Sequence, residues 1–387
     1  MISGDFDNIN QYLQSLLGDE GLLNKYLNAP KDEWTELNLQ AICCLEGIFT
    51  NQKNNTSISK EYIHISKDVV LNTVSSLPCL NHSTQYYSKI ICSCLRILRT
   101  IIINKLMLVS SDFIGEILGI VQAFLFHGVK DYLPIQPQLL RPAAMNLPER
   151  PHVVPKCKNQ KVPKSKSKKQ MSKKSTSDDK HNVAPENKRI YKYSSESEVS
   201  DTETNDSILA ESKVRLEAVR LLQGLIENTQ AREVFGYWPQ IVATGSRNDA
   251  RVLARSILKE PNTKVRQHVL SALTELLIGA RPFLIHAEDV QPTSFITFFG
   301  TVYLMVKELH FTLSLALSTE KNAAVLTHLL KCVAALIQGT PYAKLKPGLA
   351  TKLIRNCRIH IQHKDPTVKV ATFLVFEALV WNDPITP

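Results

Sequence analysis

Apolar residues recur along this chain in one helical register. Counted from Val214, they fall at +7, +8, +11 and +12: Leu221, Leu222, Leu225 and Ile226. The same offsets from Val265 pick out Ala272, Leu273, Leu276 and Leu277. From Val325 they pick out Cys332, Val333, Leu336 and Ile337, and from Val368 they pick out Val375, Phe376, Leu379 and Val380. That spacing is one stripe of an α-helix. The four anchor valines are 51, 60 and 43 residues apart, and a cation follows three of them directly: Arg215, Arg266 and Lys369. Weaker copies start at Leu37 (Cys44, Leu45, Ile48, Phe49) and at Ile90 (Ile97, Leu98, Ile101, Ile102).

A second helical pattern precedes each of the last three anchors, over 249–258, 294–317 and 349–361. The first ends at Pro261 and the last at Asp365-Pro366. There Asp365 is placed to cap the first free amides of a helix over 366–381, and Pro366 suits its first turn. Paired helices at such intervals predict an array of helical hairpins, whose units in known repeat proteins run about 40–47 residues. Arg215, Arg266 and Lys369 either line a groove or pair with acids of the preceding hairpin, and pairing is the expectation. The helix over 366–381 is apolar on more than one face, with a polar strip of only Lys369, Thr372 and Glu377. It is expected to take a partner or to self-associate.

The stretches "DPTVK" (365–369) and "KVR" (264–266), each leading into an apolar helix, resemble the HEAT-repeat consensus. The blocks "RPFLIHAEDVQPTSFITFFG" and "TPYAKLKPGLATKLIRNCRIHIQHKDPTVKVATFLVFEALVW" are similar to the HEAT repeat-containing family, as is "YKYSSESEVSDTE" ahead of them. The resemblance runs over the whole chain. It implies an all-α, HEAT/armadillo-type α-solenoid interrupted by a disordered linker, with the array continuing past residue 387. It brings no catalytic residue to carry over. The irregular spacings and the missing cation after Val325 depart from the consensus.

Charge alters this picture in one place. The chain carries 46 Lys and Arg against 36 Asp and Glu, net +10. Residues 150–192 hold 14 of those cations and 3 of the acids, so the remaining 32 cations and 33 anions sum to −1. The basicity belongs to one segment, not to a folded surface. Residues 134–155 carry six prolines, the lysine-rich run follows, and "SSESEVSDTETNDS" inverts the sign. Such composition cannot supply a core. The organisation expected is an N-terminal helical block over 1–146, a disordered basic-then-acidic linker over 147–206, and a four-hairpin array over 207–387. Lys164, Lys166, Lys168, Lys169, Lys173 and Lys174 form a candidate nuclear-import cluster, with a plain solvated linker as the competing reading. Direct nucleic-acid binding is disfavoured, because no aromatics interleave with the lysines for base stacking. Ser195 and Ser200 have Glu198 and Glu203 three residues on, which suits an acidophilic kinase.

Enzymatic chemistry finds no support. No GxSxG, GxGxxG, P-loop or HExxH pattern occurs. His360, His363 and Cys357 lie close together but lack further ligands for a metal site. Of the eight cysteines, Cys43, Cys44, Cys92, Cys94 and Cys332 fall within apolar helical patterns and are expected to be buried and reduced. The start of the chain has neither a basic nor an apolar leader region, so the sequons at Asn54, Asn81 and Asn205 carry little weight. The uncharged run over 290–306 is interrupted by Gln291 and Pro292 and reads as core, not as a membrane span. The expected role is a non-catalytic, cofactor-free intracellular scaffold of the nucleus or cytoplasm, binding proteins of unspecified identity through its solenoid surface. The alternative is a nuclear-transport-receptor-like or nucleic-acid-associated adaptor working through the lysine run.

Overall fold

The computed structural model describes residues 7–18, 20–23, 36–50, 58–76, 86–143, 202–243, 250–289 and 297–382. Among the described residues the regular structure is helical, without strands. The helices are α1 (Asp7–Leu17), α2 (Glu36–Thr50), α3 (Lys60–Ser76), α4 (Tyr87–Ile103), α5 (Ser111–Phe124), α6 (Thr202–Asn228), α7 (Ala231–Phe235), α8 (Trp238–Ile241), α9 (Leu253–Lys259), α10 (Thr263–Leu284), α11 (Phe298–Thr319), α12 (Ala323–Gly339), α13 (Thr351–Arg358) and α14 (Pro366–Trp381). Short 3-10 turns cover Tyr342–Lys344 and Ile359–Gln362.

The helices form two layers. In one, α2, α4, α6, α10, α12 and α14 pack successively, each on the next. In the other, α9, α11 and α13 stack in order, while α3 backs α4 and α5 backs α6. Neighbours in the first layer run parallel. The start of α12 meets the start of α14 at Thr327 and Thr367 (Oγ1 to Oγ1, 3.1 Å), and Asn382 at the far end of α14 donates to Ile337 and Thr340 at the far end of α12.

The anchor register identifies the core. Val214, Val265, Val325 and Val368 are all buried, as are both residues at +7 and +8 in the first three units. Each fully buried valine or leucine stabilises the fold by about 1.5–3 kcal/mol. The copy at Ile90 holds throughout, with Ile97, Leu98, Ile101 and Ile102 all buried. The copy at Leu37 holds only in part. Leu37 and Cys44 are exposed while Leu45 and Phe49 are buried, since among the described residues α1 and α4 are the main helices packed on this one. Cys43 is exposed too, contrary to expectation, whereas Cys92, Cys94 and Cys332 are buried as expected.

Caps start the second helices where the sequence places them. Asn262 and Asn322 accept from two backbone amides each, and Asp365 accepts from the Thr367 amide. The last helix spans 366–381 as expected. The first helices of the pairs are shorter than their patterns: α9 covers only Leu253–Lys259, and α13 tightens into a 3-10 turn at Ile359.

Two findings revise the domain plan. Helix α6 begins at Thr202, so the boundary at 206/207 falls inside it; residues 147–201 of the expected linker lie outside the described residues. The N-terminal helices and the array also share one core, since α4 packs directly on α6. An extended strap, residues 132–143, fastens the same junction. Its Leu140 amide donates to the Gly115 carbonyl at 3.2 Å, and the Ala143 amide donates to the Gly236 carbonyl at 2.8 Å. Gln136 reaches the Ser75 carbonyl and Gln240 the Arg141 carbonyl. The strap lies so close to α5 that a Cβ on Gly119 would sit 1.9 Å from the Gln138 carbonyl oxygen.

Candidate functional site

Two of the signature cations, Arg215 and Arg266, are held in ion pairs. Arg215 is buried and holds Glu260 in a bidentate pair, Nε to Oε2 at 2.7 Å and Nη2 to Oε1 at 3.0 Å. Its Nη1 also donates to the His127 carbonyl at 2.6 Å, tying α6 to the N-terminal helices. Arg266 repeats the pattern one hairpin later, with Nη1 2.7 Å from Glu320 Oε2. Pairing with acids was expected, but of the preceding hairpin. The acids belong instead to the turn of the following hairpin, which the parallel stacking of α6, α10 and α12 brings alongside.

These turns share a spacing that an apolar register alone cannot reveal. Glu260 and Glu320 stand five residues before Val265 and Val325, and the capping Asn262 and Asn322 stand three before. Each glutamate also accepts from the amide of its own cap residue. "EPNTKV", "EKNAAV" and "HKDPTV" align on this pattern. The third carries His363 where the others carry glutamate, and Leu326 stands where the preceding unit would supply the cation. Cation and acid are lost together. His363 keeps the local half of the role, its Nδ1 accepting from the Asp365 amide at 3.1 Å. Lys369 is half-buried, and no carboxylate pairs with it among the described residues.

The outward face of the first layer carries charge. At the α2–α4–α6 end, Arg96 bridges Glu46 (3.2 Å) and Glu217 (3.4 Å), and Arg99 and Arg220 also reach Glu217. Farther along, Lys213, Arg220, Lys264, His268, His328 and Lys331 are exposed or half-exposed on α6, α10 and α12. Burial, then the nearby Arg220, Lys264 and His328, hold the His268 imidazole below its ordinary range. Burial and Lys331 do the same for His328. Towards the C-terminal halves the sign reverses: burial, then Glu227, raise the Glu275 carboxyl.

Several other titratable groups are buried. His310 lies in the core, donating from Nδ1 to the Val306 carbonyl (2.8 Å) and accepting at Nε2 from the Tyr342 hydroxyl (2.7 Å). Burial pushes its imidazole down to about 4. Burial likewise pushes the Cys92, Cys332 and Cys357 thiols up to about 12, which suppresses thiolate chemistry. Among the described residues no group of three or more His, Cys, Asp or Glu is arranged to hold a metal ion, and no helix is long and apolar enough to cross a membrane. A cavity of about 420 Å³ under the strap is lined by Asp68, Ser75, Glu116 and Gln138 among others.

The candidate import cluster (Lys164, Lys166, Lys168, Lys169, Lys173, Lys174) and the candidate phosphorylation sites Ser195 and Ser200 lie outside the described residues. The repeat-signature residues all fall in α6, α10 and α14 or their caps. Among known families, the model of a domain of unknown function (DUF4042) matches residues 213–387. The match starts within α6 and runs through α14, so it takes in the Arg–Glu linked hairpins and covers under half of the chain.

Proposed function

We propose that this chain is a non-catalytic HEAT/armadillo-type solenoid that binds another protein along the outward face of its stacked second helices. The observation that carries this reading is the uninterrupted row α4, α6, α10 and α12. Three of these adjacent helices, α6, α10 and α12, present Lys213, Arg220, Lys264, His268, His328 and Lys331. Repeat arrays use such extended faces for recognition, each unit adding one strip of side chains. The partner on this reading is a protein that presents an acidic strip.

Affinity purification from cells tests it. Full-length protein should retain a defined set of partners, and Lys264→Glu with Lys331→Glu should lose them with the helical content unchanged. Retention of every partner by that variant contradicts the reading.

The adaptor reading rests on a different observation, the net +11 of residues 150–192. It places the protein in the nucleus, with Lys164 to Lys174 as an import signal and Ser195 and Ser200 as phosphate acceptors that deepen the neighbouring negative charge. Replacing the six lysines with glutamine should then abolish nuclear accumulation. A salt series separates nucleic-acid contact, which falls steeply with ionic strength, from protein contact, which falls less.

A further inference from the structure

The linkage between hairpins defines what the open side of α14 accepts. In each unit the helix face turned towards the next hairpin lies at +1, +2, +5, +9 and +12 from the anchor. At +1, Arg215 and Arg266 carry the ion pairs. At +2, Thr327 meets Thr367 of the next helix. At +5, Val219, Leu270 and Leu330 are buried, and at +12, Leu277 and Ile337 are buried. The same positions of α14 are Lys369, Val370, Phe373, Glu377 and Val380. They keep the chemistry, a cation followed by apolar residues, but not the burial: Phe373 is 58% exposed and Val380 84%. Trp381 at +13 widens the apolar surface and is exposed as well.

We infer that this face of α14 docks one further helical hairpin of the same build, with a carboxylate two residues ahead of the Asx cap of its second helix, and that this carboxylate pairs with Lys369. The charge argument is internal to the molecule. The two described cations at +1 both meet such a carboxylate, and the one unit without the cation faces a turn that has His363 in its place. A lysine retained at +1 therefore specifies an acid opposite. The apolar positions at +5 and +12 supply the attraction, and Lys369 fixes the register, since a misplaced hairpin would leave its half-buried ammonium without a partner. This inference rests on the inter-hairpin links, not on the outward basic face, so the two stand or fall separately.

A displayed library tests it. The scaffold is an independently folding helical hairpin, shown to be helical alone by circular dichroism and numbered to match residues 285–339 here, with position 320 and the docking side of its second helix randomised. Selection against the full-length chain should enrich Glu or Asp at position 320. Selection against Lys369→Glu should enrich Lys or Arg there. The hairpins chosen on the unmodified chain should bind Lys369→Glu about tenfold more weakly and should lose Phe373→Asp altogether. These α14 side chains are exposed, so circular dichroism should show both variants folded. The inference is overturned if no hairpin is enriched, if position 320 shows no charge preference, or if binding survives Phe373→Asp. It is equally overturned if sedimentation shows the full chain dimerising through this face, with Lys369→Glu disrupting the dimer and added Glu377→Lys restoring it. That result would make a second copy, paired antiparallel about Phe373, the occupant.

Discussion

Arg215 and Glu260 are 45 residues apart in the chain and meet as a bidentate ion pair in the interior, Nε to Oε2 at 2.7 Å. The pair joins α6 to the turn before α10 and, through the His127 carbonyl, to the helices upstream. Removing one partner strands the other charge in the core, which costs about 3–5 kcal/mol. Arg215→Ala and Glu260→Ala should each lower the denaturation free energy by that amount. The pair Arg215→Met with Glu260→Leu should recover most of it. If both single variants unfold at the unmodified denaturant midpoint, the link contributes nothing.

Leu273 is fully buried between hairpins, at +8 of its unit. Leu273→Ala should cost about 2–5 kcal/mol, the range for a buried leucine whose site relaxes only in part. Equilibrium denaturation measures it, and a loss within error would mean that α10 turns another face to the core.

Much of this architecture was legible in the sequence, and its limits have physical causes. The +7, +8, +11, +12 stripes and the Asp365-Pro366 start placed α10, α12 and α14, because burial and capping both leave local marks. The partners of Arg215 and Arg266 left marks only across units. Glu260 and Glu320 look like ordinary turn acids until their five-residue offset from the anchor is aligned with the caps. The packing of α4 on α6 leaves no local mark at all, since residues 104–201 separate the two helices in sequence. Cys43 and Cys44 are exposed because α2 is apolar on several faces while only part of it is covered.

Thiol labelling checks that last correction. In a background with Cys79 and Cys157 replaced by serine, Cys43 and Cys44 should react first in the native protein. Cys92, Cys94, Cys332 and Cys357 should react only on unfolding, because burial both shields them and disfavours their thiolates. Equal labelling of all six in the native state would contradict the packing around α4 and α12.

His310 makes stability depend on pH. Unfolded, its imidazole takes up a proton near pH 6.5, while the folded one resists until about pH 4. Between these values the unfolded state binds more protons, so stability is full above about pH 7 and falls as pH drops towards 4. This one group contributes about 3 kcal/mol to that fall. His310→Gln should flatten the slope between pH 6.5 and 4, whatever it does to stability at neutral pH. An unchanged slope would show that His310 is solvated.

The row of second helices is continuous only because α4 and α6 pack into one stack. The direct measurement is a cut. A specific protease site placed within residues 147–201 is cleaved under native conditions, and the products are sized by light scattering during chromatography. The two pieces should stay together as one species of about 43.5 kDa and unfold in a single transition. Pieces that separate on the column, each helical and each unfolding independently, would contradict it.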